Sequence, residues 1–73
     1  MMDKKNLLKQ FGKNVKIERI KQDLTQEELA EKMNVSQNYV AGIECGRANM
    51  SLGKILELSQ VLDVDINILL QFH

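Results

Sequence analysis

Two adjacent carboxamide side chains, Gln37 and Asn38, have the chemistry needed to recognise a base by its edge. A carboxamide both donates and accepts hydrogen bonds, so it can pair with N6 and N7 of adenine. Both residues follow a predicted helix cap at Ser36, and we predict them to be base contacts; the simpler alternative is a solvated helix start. Ala41 would meet a thymine methyl group, and Gly42 would let the helix approach the bases closely, although chance explains either small residue equally well.

A second group of side chains suits phosphate, namely Gln26, Tyr39, Arg47, Asn49 and Ser51. Gln26 opens a predicted helix, where unpaired N–H groups and the positive end of the helix dipole attract an anion. Arg47, Asn49 and the helix start at Ser51 would form another phosphate clamp. The Tyr39 hydroxyl is a further candidate donor, but partial burial of its ring in the core would explain this residue too.

The elements that position these groups are two short helices within residues 26–44, joined by a tight turn. A steep crossing needs a small residue at closest approach, for which Ala30 is suited, and a turn residue that tolerates left-handed backbone, for which Asn34 is suited. Val40 and Ile43 supply apolar anchors behind the second helix. This arrangement pushes the second helix outward, as entry into a DNA major groove requires.

Periodicity and capping residues extend this to an all-α fold, because the chain shows no sustained period-two alternation. Thr25 with Glu28 predicts a capping box, and Ser36, Ser51 and Asp65 predict further caps. The predicted helices are 4–22, 26–33, 37–45, 52–62 and 66–72.

Apolar residues on three of these helices are expected to face the core or a second copy of the chain. Those expected inward are Leu7, Leu8, Phe11, Val15 and Ile20 in the first helix, and Leu52, Ile55, Leu56, Leu58 and Leu62 in the fourth. Leu69, Leu70 and Phe72 would form a dimer seam or pack the last helix on the first, and both can be true together.

Length and composition favour one domain over residues 1–73, and they argue against catalysis. Formal net charge is zero, yet seven of the Lys and Arg residues lie within residues 1–22, which makes the charge distribution strongly uneven. One His, one Cys (Cys45) and no Gly-rich loop leave no catalytic pair, metal site or cofactor site, and we expect no small-molecule ligand. No long apolar run or signal-peptide core is present, so we expect a cytoplasmic protein.

Several short motifs of the sequence, taken together with their order and spacing, resemble those of the Cro/lambda-repressor-type (Xre) helix-turn-helix family. These motifs are F-G-K-N-V-K, L-T-Q-E-E-L-A-E-K-M-N-V-S, Y-V-A-G-I-E-C-G-R-A-N and L-D-V-D-I-N-I-L-L. The resemblance implies a compact five-helix, lambda-repressor-like domain, with the helix-turn-helix at helices 2 and 3. It also implies an ion pair between Arg19 and Glu44. Asn34 in place of the usual turn Gly, Met50 in place of a common Pro, and Gly42 depart from the family pattern.

The implied function is transcriptional regulation by a homodimer that binds a roughly palindromic operator in double-stranded DNA. A narrower resemblance is to controller proteins of restriction-modification systems, while repressors of mobile elements and antitoxins share the same motifs. Glu27, Glu28 and Glu31 are a candidate contact for RNA polymerase. The alternative function is an antitoxin or another helical protein-interaction module, for which an additional wrapping arm would be the expected signature.

Overall fold

The computed structural model describes residues 3–72, and within that range every regular element is a helix. The helices are α1 (Lys4–Lys21), α2 (Gln26–Met33), α3 (Gln37–Glu44), α4 (Leu52–Val61) and α5 (Ile66–Leu69). The predicted all-α class, helix order and helix-turn-helix position are confirmed. Each of α1, α3 and α4 ends one residue earlier than predicted, and α5 is a single short turn that stops well before Phe72.

Short polar side chains set the starts of the helices, as the sequence indicated. Thr25 and Glu28 form the predicted capping box, with N···O distances of 3.0 and 2.9 Å. Ser36, Ser51 and Asp65 each accept a main-chain N–H of the first turn of their helix. The cap of α1, Asp3, was not predicted; it accepts from the Asn6 N–H at 2.8 Å.

The turn between α2 and α3 has the predicted left-handed residue, since Asn34 has φ 57° and ψ 46°. Gly46 ends the α3 segment with φ 78°. Ala30 is buried, as expected for a small residue where two helices pack closely. These features hold α3 at the surface with one face exposed.

The core lies where α1 packs on α3 and α5, and α2 packs on α3 and α4. Its fully buried side chains are Val15, Leu29, Val40, Ile43, Leu58, Leu62 and Leu69. In the part of the chain that the structure describes, no helix is both long and apolar enough to cross a membrane.

Four of the residues expected to face inward are instead exposed. Ile20 is 54% exposed and Leu52 is 75% exposed, and Leu7 and Leu56 also lie at the surface. The apolar stripe of α1 is narrower than predicted, and α3 and α5 are the helices that pack most extensively on α1. The first turn of α4 extends beyond the helices that bury its later residues.

Candidate functional site

The exposed face of α3 contains three of the four predicted base contacts. Gln37 and Asn38 lie in the first turn and are exposed, and Ala41 is half-exposed. Residues three and four apart share one face of a helix, so all three side chains point outward together. The Ser36 hydroxyl accepts the Tyr39 N–H at 3.1 Å and fixes the start of this helix.

Gly42 requires a correction, because it is buried rather than presented on that face. Its carbonyl accepts the N–H groups of Arg47 and Ala48 at 2.8 and 3.2 Å. A Cβ at position 42 would meet the Ala48 side chain at 3.7 Å, which is an ordinary contact. Gly42 therefore packs under the loop that follows α3.

A buried ion pair joins α1 to the end of α3, as the resemblance implied. Arg19 donates from Nε to Glu44 Oε2 at 2.6 Å and from Nη2 to Glu44 Oε1 at 3.1 Å. The side chains are 10% and 3% exposed, respectively. The third guanidinium nitrogen donates to the Leu24 carbonyl at 2.7 Å, so the whole fork is engaged.

Gln26 is also drawn into this cluster, which the sequence reasoning missed. Its Nε2 donates to Glu44 Oε1 at 3.1 Å. Because the amide nitrogen has two N–H groups, this bond leaves the second one for the predicted phosphate contact, beside the main-chain N–H of Gln26. A glutamine eighteen residues before a glutamate carries no local signal, because the contact depends on how α2 and α3 cross.

The predicted phosphate clamp lies on one surface beside the end of α3. Arg47, Asn49 and Ser51 are all exposed. The Ser51 hydroxyl already accepts the Lys54 N–H at 3.2 Å, so an anion there would meet the other N–H groups of the α4 start. Tyr39 is half-buried and packs against the core, as the alternative interpretation of this residue expected.

The start of α2 is acidic, with Glu27, Glu28 and Glu31 exposed. Hydrogen bonding by the Thr25 main-chain N–H, then by the Thr25 side chain, lowers the pKa of the Glu28 carboxyl. Nearby Lys32 acts in the same direction, whereas slight desolvation opposes it. Glu28 is thus committed to the capping box, while no described hydrogen bond or ion pair engages the carboxylates of Glu27 and Glu31.

An apolar groove of about 320 Å³ adjoins the predicted phosphate clamp, since Asn49 is part of its lining. The start of α1, the start of α4 and the C-terminal segment form its walls, which include Leu7, Leu52, Ile55, Leu70 and Phe72. Asn14 holds the C-terminal wall by donating to the Leu69 and Gln71 carbonyls at 3.0 and 2.8 Å. Leu69 itself is fully buried in the core and cannot belong to an intermolecular seam.

Comparison with known proteins gives a consistent result. The sequence pattern of the helix-turn-helix family matches residues 15–69. An uncharacterized HTH-type transcriptional regulator of Sinorhizobium fredii, y4mF, is 36% identical over 59 residues, which cover 81% of this chain and 78% of that protein.

Two solved structures share the fold at moderate identity. The restriction-modification controller protein C.AhdI from Aeromonas hydrophila is 37% identical with a TM-score of 0.80, over 85% of this chain and 94% of that one. A hypothetical transcription factor from Neisseria, NHTF, is 28% identical with a TM-score of 0.85, over 97% of this chain and 82% of that one.

Proposed function

We propose, from the premise that this chain belongs to the helix-turn-helix family of transcriptional regulators, that it binds a roughly palindromic operator as a homodimer. The chain is a DNA-binding regulator, and its compact all-helical fold is that of its structural relatives. What we propose beyond this is the homodimer, the two-fold symmetry of the operator and the individual contacts to DNA. The observation that carries it is the exposed first turn of α3, which presents two carboxamides from a helix anchored by a buried ion pair.

In this proposal α3 lies in the major groove and its first turn faces the bases. Gln37 pairs with adenine, Asn38 reads a neighbouring base, and Ala41 contacts a thymine methyl group. Arg47, Asn49 and the start of α4 bind the backbone on one side of the groove. The start of α2 binds it on the other side, and these phosphate contacts set the register.

The apolar groove supports dimerisation, because it and a protruding side chain lie on the same surface. Leu52 is 75% exposed at the rim, and Leu56, one turn later, is 47% exposed. In a two-fold dimer the same surface is used by both copies, so a projection and a cavity side by side can fill each other. The proposal requires that two copies joined in this way hold their α3 helices about 34 Å apart, the separation of successive major grooves.

The regulated genes are proposed by analogy. The 37% identity to a restriction-modification controller protein, covering nearly all of that chain, supports a controller role in such an operon. A mobile-element operon is the second candidate. The exposed carboxylates of Glu27 and Glu31 on α2 are proposed as an RNA polymerase contact, and the protein would act in the cytoplasm, where its DNA lies.

The test is selection of bound duplexes from a random pool, with wild type, Gln37→Ala and Gln60→Ala side by side. Gln60 is an exposed glutamine on α4, remote from α3, and serves as the matched control. We expect wild type and Gln60→Ala to enrich the same two-fold motif. Gln37→Ala should lose discrimination at one A·T pair in each half-site, worth about 1–3 kcal/mol.

A failure to enrich any motif would contradict the proposed operator binding. The protein-interaction module would then be the better function, with the apolar groove as its docking surface. An enriched motif without two-fold symmetry would reject the dimer and keep the DNA-binding function. Unchanged selectivity in Gln37→Ala would remove Gln37 from the set of base contacts.

A further inference from the structure

Four lysines form a continuous line along α1, which we call the α1 lysine stripe: Lys5, Lys9, Lys13 and Lys16. At 3.6 residues per turn, their spacings place them within an arc of about 80° on one side of the helix, over a length of about 16 Å. All four side chains are exposed. The stripe concentrates four positive charges on one face of a chain whose formal net charge is zero.

These lysines have no acidic partner within residues 3–72. The ion pairs of that range are Arg19 with Glu44, Lys21 with Glu18 and Lys54 with Glu57. No carboxylate neutralises the stripe, so its potential is directed into solvent. A solvated helix face usually mixes charges of both signs, and α1 instead has its acidic residue, Glu18, on a different side from the stripe.

The stripe borders the surface that is proposed to face DNA. A Cβ at Gly46 would lie 2.9 Å from the Lys9 main-chain nitrogen and from Lys9 Cγ, so α1 touches the chain directly before Arg47. A Cβ at Gly12 would lie 2.3 Å from the Ile43 carbonyl oxygen. Helix α1 therefore packs against the C-terminal end of α3, and Lys9 of the stripe lies beside the segment that leads to Arg47.

We propose that the α1 lysine stripe is a second, sequence-independent DNA contact, which binds the phosphate backbone beside the groove read by α3. The proposal rests on the DNA-binding function proposed above and extends its contact surface. Lysine suits this role because its ammonium is a point charge on a flexible stem that follows a backbone without fixed geometry. A chain without net charge gains no overall attraction to DNA, so a local stripe is where counterion release would arise.

The experiment measures the affinity for a mixed-sequence duplex of about two helical turns, as a function of salt concentration. Lys13→Gln/Lys16→Gln removes two stripe charges, and the control Lys21→Gln/Lys32→Gln removes two exposed charges outside the stripe. Lys9 is left unchanged, because its stem packs against Gly46 and a substitution would mix packing with charge. The melting temperature of each variant verifies that it is folded.

Affinity falls as salt rises, so a plot of log affinity against log salt has a negative slope. Each lost phosphate contact should reduce the magnitude of that slope by about 0.9. If the affinities at 1 M salt are equal, this change corresponds to an affinity about eightfold weaker at 0.1 M salt. Lys13→Gln/Lys16→Gln should therefore lose about 1.8 in slope and up to about 60-fold in affinity, while the control keeps the wild-type slope. The motif selected from random DNA should not change, because backbone contacts carry no direct sequence information.

Equal slopes in the two double variants would overturn the stripe proposal, and so would a loss explained wholly by melting temperature. An enriched operator in the wild type would still uphold the DNA-binding function in either case. If the wild type neither enriches an operator nor binds the mixed duplex, the stripe and the proposed function are rejected together.

Discussion

Removal of the Arg19 side chain should destabilise this protein more than the loss of any other charge. Arg19→Ala deletes two charge-assisted hydrogen bonds to Glu44 and one to the Leu24 carbonyl. It leaves a carboxylate that is 3% exposed with Gln26 as its one remaining side-chain donor among the described residues. Breaking a buried pair by removing one partner costs about 3–5 kcal/mol, since the other charge stays buried without compensation.

That cost is large against the whole stability of a domain this size. At about 0.05–0.15 kcal/mol per residue, the free energy of unfolding should be about 4–11 kcal/mol. For 60–100 residues, each kcal/mol shifts the melting temperature by about 4–8 °C, so Arg19→Ala should lower it by at least about 12 °C. Circular dichroism on heating and in urea measures both quantities.

The matched control is Lys21→Ala, which breaks the surface pair with Glu18 on the same helix. Lys21 is 66% exposed, and such pairs contribute about 0–1 kcal/mol. Arg19→Met with Glu44→Met should recover much of the loss, because an apolar pair removes the stranded charge. A melting temperature of Arg19→Ala within a few degrees of the control would refute the assignment of this pair as a major source of stability.

Two further predictions follow from the backbone packing and the helix caps. Gly12→Ala should lower the free energy of unfolding in urea by more than the usual 1–3 kcal/mol of overpacking, because its Cβ would lie 2.3 Å from the Ile43 carbonyl oxygen. Gly53→Ala, whose Cβ would make an ordinary contact with Ser51 Oγ at 3.9 Å, should be neutral or stabilising, and equal effects of the two substitutions would contradict this reasoning. Because the pKa of Glu28 is lowered in the folded protein, its ionised carboxylate stabilises the fold through the bond to the Thr25 N–H. This stabilisation is fully present above the ordinary glutamate pKa of about 4.3, and it is lost as the pH falls through the lowered pKa. Urea unfolding from pH 7 to pH 3 should therefore show wild type losing stability relative to Glu28→Gln, and parallel pH profiles would reject this linkage.

Helix starts and turns were predictable because their signals are local. The Thr25 capping box and the left-handed Asn34 depend on side chains that bond to, or tolerate, their own stretch of backbone. No distant residue has to be known for such a prediction. The same reasoning applies to Ser36 and Ser51, whose hydroxyls accept N–H groups three residues ahead.

The wrong predictions concern sides of helices, which only the neighbouring helices decide. Ile20 and Leu52 fit an apolar stripe by spacing, yet more than half of each residue's surface remains exposed. Gly42 was assigned to the exposed side of α3, but the following loop folds back and hydrogen-bonds to its carbonyl. Periodicity shows that a helix has an apolar side; it does not show how wide the covering surface is.

Side chains from α1, α2 and α3 meet at Glu44, and the hydrogen bond from Gln26 orients the amide that is proposed to contact phosphate. Arg19 reaches the carboxylate from α1, Gln26 reaches it from the first residue of α2, and Glu44 itself ends α3. The start of α2 and the end of α3 are thus held together by one buried group. In the proposed complex the start of α2 contacts phosphate and α3 contacts the bases, so the Arg19–Glu44 pair fixes the relative orientation of the two helices without touching DNA. A rigid support beneath an exposed polar face is what base discrimination requires, because a bidentate contact depends on accurate placement of both its atoms.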